Sequence, residues 1–179
     1  MSDWTIRPER PEDFPAIRKV LVAAFVDDEV AVADGVDRIR ESWIYRPATS
    51  LVAESDGEVV GHVMITGCTV ISDAGRRTIA MLTPLAVSPE RQRQGIGSAL
   101  VRAALAGAEE AGESLVMLEG SPTYYGALGF VPARKHGLEL DHPVPDWAPP
   151  DAVQVYLLPA YDPADQTLRG VIDYPPVYG

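Results

Sequence analysis

Apolar residues along this chain change period at one place, and the other elements are read outward from it. From Thr78 to Val87 the sequence is a nearly unbroken apolar run of strand length. Ser88-Pro89-Glu90-Arg91-Gln92-Arg93-Gln94 ends that run, because Pro89 has no N–H to give to a sheet ladder. After Gly95-Ile96-Gly97-Ser98 the apolar positions Leu100, Val101, Ala104, Leu105 and Ala108 recur at helical spacing. The stretch from Leu85 to Leu105 is therefore predicted as strand, polar loop and glycine-opened helix.

Upstream, Trp4-Thr5-Ile6-Arg7 alternates like a short strand, and Pro11-Glu12-Asp13 starts a helix with a buried stripe of Ile17, Val20, Leu21 and Ala24. Asp27 to Trp43 reads as a second helical region, interrupted near Gly35. Leu51 to Ser55 and Glu58 to Ser72 read as strands joined by the hairpin pair Asp56-Gly57. Asp73-Ala74-Gly75 then turns the chain into the strand that ends at Val87. Downstream, Gly112 marks a helix C-cap, and Ser114 to Glu119 is a buried strand, parallel to its predecessor through a right-handed crossover. Ser121-Pro122 caps a short helix that carries Tyr124 and Tyr125, and Phe130-Val131 begins a strand. Leu140 to Pro150, with four prolines around Trp147, is a loop, and Ala152 to Leu158 is the last clear strand. Tyr161 to Gly179 is expected as a packed tail with one extended piece near Gly170-Val171-Ile172. Three antiparallel strands in succession argue for an α+β fold over a doubly wound one.

Composition narrows the class. With 179 residues, 46% hydrophobic and 23% charged, the chain has the length and balance of one globular domain. A formal charge of −11 argues against nucleic acid or an anionic membrane surface as partner. Cys68 is the only cysteine, which excludes an internal disulfide and a thiolate metal cluster, and His62, His136 and His142 have no ligand-like spacing. Neither a signal peptide nor an apolar run of membrane length is present, so a cytoplasmic location is expected.

The candidate chemistry lies where the period changes. The first N–H groups of a helix lack intrahelical partners and carry partial positive charge, and two glycines let a phosphate approach several of them at once. With Arg91 and Arg93 alongside, this is an anion cradle of diphosphate shape. A P-loop requires Gly-Lys-Ser/Thr, which the chain lacks. A dinucleotide turn competes more closely, since Gly95-x-Gly97 follows a strand and Glu119 ends the next one. Against it, Leu100 occupies the third glycine position and the loop before Gly95 is long.

Gln92-Arg93-Gln94-Gly95-Ile96-Gly97, preceded by Leu85-Ala86-Val87-Ser88-Pro89, resembles the coenzyme A signature of the GNAT superfamily of N-acetyltransferases. Tyr124-Tyr125-Gly126-Ala127-Leu128-Gly129-Phe130, one strand downstream, resembles the family's Tyr-x-x-x-Gly-Phe. The resemblance spans about Leu85 to Phe130. It implies one GNAT domain over 1–179 (core about 3–158, packed tail 159–179) with a mixed, mostly antiparallel, splayed sheet flanked by helices. The implied activity is transfer of an acetyl group from acetyl-CoA to a primary amine, by direct attack on the thioester and without a metal. Leu85, Ala86, Val87, Gln92, Arg93, Gln94, Gly95, Ile96, Gly97, Ser98 and Tyr125 are the implied coenzyme-binding residues, and the backbone N–H of Val87 is the candidate for polarising the carbonyl. Tyr125 holds the family's position for the acid that protonates the departing thiolate; a phenol titrates near ~10, so it is loaded at neutral pH.

The base departs from the family's pattern. Thr78 to Val87 contains no Asp, Glu or His, and Met81 stands where many members carry a glutamate. Glu119, ending the facing strand, is the best remaining carboxylate, with deprotonation through water left open. Mid-strand His62 is expected to be a packed histidine. Asp27, Asp28, Glu29 and Glu41 are expected as a solvated acidic face more than a site for a cationic acceptor. The expected partner is a small-molecule or peptide amine, with a homodimer left open. The alternatives are a non-catalytic acyl-CoA-sensing module of the same fold and a dinucleotide-binding oxidoreductase.

Overall fold

The computed structural model describes residues 3–27, 29–144, 146 and 148–178; Asp28 and Trp147 lie outside them. The chain folds as two compact units, Met1–Thr66 with Leu82–Gly107, and Gly67–Met81 with Ala108–Gly179. In chain order the elements are β1 (Thr5–Pro8), α1 (Phe14–Ala24), α2 (Glu29–Arg40), β2 (Ser50–Ser55), β3 (Glu58–Ser72), β4 (Gly75–Val87), α3 (Ile96–Glu110), β5 (Leu115–Glu119), α4 (Pro122–Gly126), β6 (Val131–Pro132), β7 (Leu138–Leu140), β8 (Val153–Leu157) and β9 (Gly170–Asp173).

In the first unit β2 pairs antiparallel with β1 (Ile6 opposite Ala53) and with β3 (Leu51 opposite Val63, Val52 opposite His62). The β2–β3 turn takes the left-handed backbone that Asp56-Gly57 promises, with φ of 51° and 79°. Pro11–Asp13 form a 3₁₀ turn ahead of α1 rather than its first α turn. From α1, Ile17, Val20 and Leu21 are buried as the stripe predicts, while Ala24 is half-buried. The expected interruption at Gly35 does not occur, and α2 runs through it. A mid-helix glycine costs about 1 kcal/mol, which the burial of Ala33, Val36 and Ile39 on the same helix offsets.

In the second unit β5 runs parallel to the near part of β4, with Ala80 opposite Val116 and Met81 opposite Met117. β8 pairs antiparallel with β5 and β6. The extended piece expected near Gly170 is β9, antiparallel to β3 (Val70 opposite Ile172) and parallel to β7. Cys68, Ile79, Leu115, Met117, Val155 and Ile172 belong to its core. A 3₁₀ turn at Ala133–His136 and strand β7 have no counterpart in the sequence reading. The sheet ladders are thus mixed and mostly antiparallel, and none of the described helices is long and apolar enough to cross a membrane.

Candidate active site

The cradle lies wholly in the first unit. Val87 and Ser88 are buried at the end of β4, Ser88 N–H donates to Val60 O at 2.9 Å, and Pro89–Arg91 make a 3₁₀ turn. Gln92 folds back to donate from Nε2 to Val87 O (3.1 Å), so the first polar residue of the motif pins the strand end. Arg93, at φ 59°, and Gly95, at φ 85°, both take the left-handed region. That conformation is strained for any side chain and natural for glycine. α3 begins immediately afterwards, and Ala99 N–H donates to Gly95 O at 3.0 Å. The amides of Ile96 and Gly97 precede that bond, as an anion nest requires.

Two features here were not read from sequence. Arg91 is not a loose charge beside the nest: its guanidinium donates to Ser55 Oγ (2.9 Å) and Gln94 Oε1 (3.3 Å). Gly61 on β3 supports the cradle helix by having no side chain. A Cβ there would lie 2.9 Å from Leu100 Cδ1, 3.2 Å from Ile96 Cγ2 and 3.3 Å from Ala86 O. A lone strand glycine signals close backbone approach in general, but not to which element.

The second unit carries the tyrosines and Glu119. Ser121 caps α4 by accepting from Tyr124 N–H. Tyr124 is exposed, whereas Tyr125 is half-buried with its ring edge-on to Tyr124 (4.9 Å) and Phe130 (5.6 Å). Burial, then the neighbouring Tyr124, push the Tyr125 phenol up to about 12. Gly120 makes room for it: a Cβ there would stand 2.4 Å from Tyr125 Cε2.

Glu119 is exposed at the end of β5, and Tyr174, just past β9, donates its phenol to Glu119 Oε1. Glu119 is paired with Val153, so their side chains share one face of the sheet. Val153 lines a cleft of about 290 Å³ together with Leu140, His142, Val144 and the Arg134–Asp151 ion pair.

The remaining candidates sort cleanly. His62 is fully buried in the first unit, its Nε2 2.8 Å from Glu9 Oε2, and is a packed histidine as expected. Asp27 and Glu41 are exposed. Among the described residues no group of three or more His, Cys, Asp or Glu is arranged to hold a metal ion.

A strand whose end is pinned by the loop's first glutamine thus feeds a glycine-opened helix on a mixed sheet. The chain belongs to the GNAT acetyltransferases: residues 5–133 match the acetyltransferase (GNAT) domain. It is 35% identical over 135 residues to the uncharacterized N-acetyltransferase YjhQ of Escherichia coli K12, covering 75% of this chain and 74% of that one. Among solved structures it is similar to the GNAT family N-acetyltransferase YhbS of Escherichia coli in complex with CoA, at TM-score 0.82 and 29% identity over 99% of this chain and 93% of that one. A GNAT family acetyltransferase from Brucella melitensis in complex with acetyl-CoA gives TM-score 0.76 and 28% identity over 98% of each chain. The dinucleotide alternative does not fit this membership.

Proposed function

We propose that this protein is a cytoplasmic acetyl-CoA-dependent N-acetyltransferase that moves an acetyl group to a primary amine of a small molecule or peptide. The observation that carries the reading is the cradle, with Gly95 at φ 85° ahead of α3 and Gln92 bonded to Val87 O. Support comes from the relatives crystallised with CoA and acetyl-CoA.

In this reading the amides at Ile96 and Gly97 hold the coenzyme's diphosphate, with exposed Arg93 adding positive charge. The N–H of Val87 polarises the thioester carbonyl. A lysine-like amine has a pKa near ~10.4, so it must shed a proton before it can attack. Glu119 accepts that proton, and the neutral nitrogen then bonds to the carbonyl carbon as the C–S bond breaks, releasing its second proton to solvent. Tyr125 donates its O–H to the sulfur as charge develops there. A thiol titrates near ~8.5, below the phenol at about 12. The donated hydrogen bond therefore stabilises the thiolate, which takes its proton from solvent on release.

The test is acetyl-CoA with a panel of amines (spermidine, kanamycin, a peptide with a free N-terminus and Nα-acetyl-lysine), read as free thiol. Tyr125→Phe is expected to lower turnover by roughly 10²-fold or more while leaving acetyl-CoA affinity unchanged. If Tyr124→Phe is the damaging change instead, Tyr124 is the donor. A second reading, an acyl-CoA-sensing module, is favoured by the lack of a carboxylate or histidine between Thr78 and Val87. Tight acetyl-CoA binding with no thiol release over uncatalysed hydrolysis identifies it.

A further inference from the structure

The C-terminal segment has no part in the chemistry so far, yet it is built into the second unit. β9 is held on both sides, by Thr69, Val70 and Ile71 of β3 and by β7. An ionic network fixes the turn before it, with Arg77 bonding to Asp165 (2.6 Å), Thr167 (3.3 Å) and Ser114 (3.0 Å). This anchoring delivers Tyr174 at a fixed place one residue beyond the strand. Its ring meets His142 edge-on at 6.3 Å and Tyr178 at 6.0 Å, and its hydroxyl donates to Glu119 Oε1 across 55 residues of chain.

Glu119 is an exposed side chain with three rotatable bonds, and such a carboxylate samples many rotamers unless something holds it. A base must stand within hydrogen-bond reach of the proton it takes, so that freedom works against catalysis. Burial and the Glu119 charge both raise the Tyr174 phenol far above its ordinary value. The phenol is therefore a donor throughout the range in which a carboxylate is a base. Its single O–H engages Oε1, and Oε2 lies outside that bond.

We infer that Tyr174 is a positioning residue for the reaction, fixing the Glu119 carboxylate by a hydrogen bond from the C-terminal segment so that its second oxygen meets the acceptor amine. Glu119 acting as the base, as proposed above, is the premise.

The experiment is a double-mutant cycle of Glu119→Gln and Tyr174→Phe, with acetyl-CoA and whichever panel amine gives the highest wild-type kcat/KM. Tyr174→Phe is expected to lower kcat about tenfold with the acetyl-CoA KM unchanged, and to cause no further loss in the Glu119→Gln background. Equal losses in both backgrounds, or a raised acetyl-CoA KM, mean that Tyr174 acts elsewhere and overturn the inference. Wild-type turnover in Tyr174→Phe together with a damaged Glu119→Gln also overturns it while leaving the base assignment standing. An undamaged Glu119→Gln removes the base and the positioning role together. Glu119→Asp serves where Tyr174→Phe folds poorly. It keeps a carboxylate but withdraws it by one methylene from the phenol, and a matching loss of kcat is expected; wild-type kcat overturns the inference.

Discussion

Glu9 and Glu119 carry the same carboxylate and have opposite surroundings. The Glu9 side chain is fully buried in the first unit and accepts from Arg40 Nε (3.0 Å) and a terminal Arg40 nitrogen (2.9 Å), Tyr45 Oη (2.9 Å) and His62 Nε2 (2.8 Å). Arg40 is itself stacked on Phe14, 3.8 Å from the ring centroid. Glu119 is exposed in the second unit and is gripped by Tyr174. Burial raises the Glu9 carboxyl, but the hydrogen bonds from His62 and Arg40 more than offset it and hold the group at about 2. A carboxylate with all its lone pairs committed has no capacity left to take a substrate's proton. One with a single partner among the described residues, as Glu119 has in Tyr174, keeps that capacity. The partner count, and not the residue type, separates the structural Glu9 from the carboxylate proposed as the base.

The largest expected effect tests the structural half of that contrast. Glu9→Ala leaves Arg40 and His62 buried without their acceptor, a kind of loss that costs about 3–5 kcal/mol. Denaturant unfolding measures it, with Glu119→Gln expected to stay within about 0.5 kcal/mol of wild type as an exposed change. A mild Glu9→Ala, or a Glu119→Gln as severe, erases the distinction. The next effect tests the chemical half. Glu119→Gln should depress turnover about a hundredfold at neutral pH and recover part of it at high pH, where the acceptor is already neutral. If the variant instead loses melting temperature and keeps the wild-type pH–rate profile, Glu119 joins Glu9 as a structural acid and water carries the proton.

A third substitution touches neither carboxylate. Gly97→Val puts a branched side chain at the nest and should weaken acetyl-CoA binding about tenfold, or about 1.4 kcal/mol. Calorimetry showing unchanged affinity with an unchanged melting point removes the cradle assignment. That site was legible in the sequence because its parts are consecutive: Gln92 to Gly97 are loop and helix start, and the apolar period changes on either side of them. The partners of Glu9 and Glu119 were not, although Glu119 itself was singled out. His62 lies 53 residues from Glu9, and Tyr174 lies 55 from Glu119. Nothing local to Arg7-Pro8-Glu9-Arg10 marks Glu9 for burial, and no period links Tyr174 to β5. Gly61 and Gly120 were missed for a related reason, since what each must avoid is set by tertiary approach. Strand β7 is three residues long, too short for any period to register. Gly35 shows the converse, a local breaker overruled by burial of its neighbours on α2.

The last effect is one of pH, and it isolates the buried site without altering Glu9. Because a carboxylate only accepts, His62 Nε2 carries the proton and Nδ1 is left as a buried lone pair with no partner among the described residues. Adding a proton at Nδ1 places a charged donor where it is buried without an acceptor. Burial thus lowers His62, outweighing the upward pull of Glu9, with Arg40 lowering it further. A histidine depressed on folding contributes stability above its unfolded pKa of ~6.5 and loses it as pH falls below that value. Glu9, depressed as well, contributes above the ordinary carboxylate value and loses it as pH falls toward about 2. Both groups destabilise the fold on the acid side, His62 first. From pH 7 to 5 the first step has at most the slope of one proton, about 1.4 kcal/mol per pH unit. His62→Gln keeps a donor for Glu9 and removes the titrating ring, so its stability should be flat over that window while the wild type declines. Parallel curves for the two proteins between pH 7 and 5 mean that His62 is not the group being titrated.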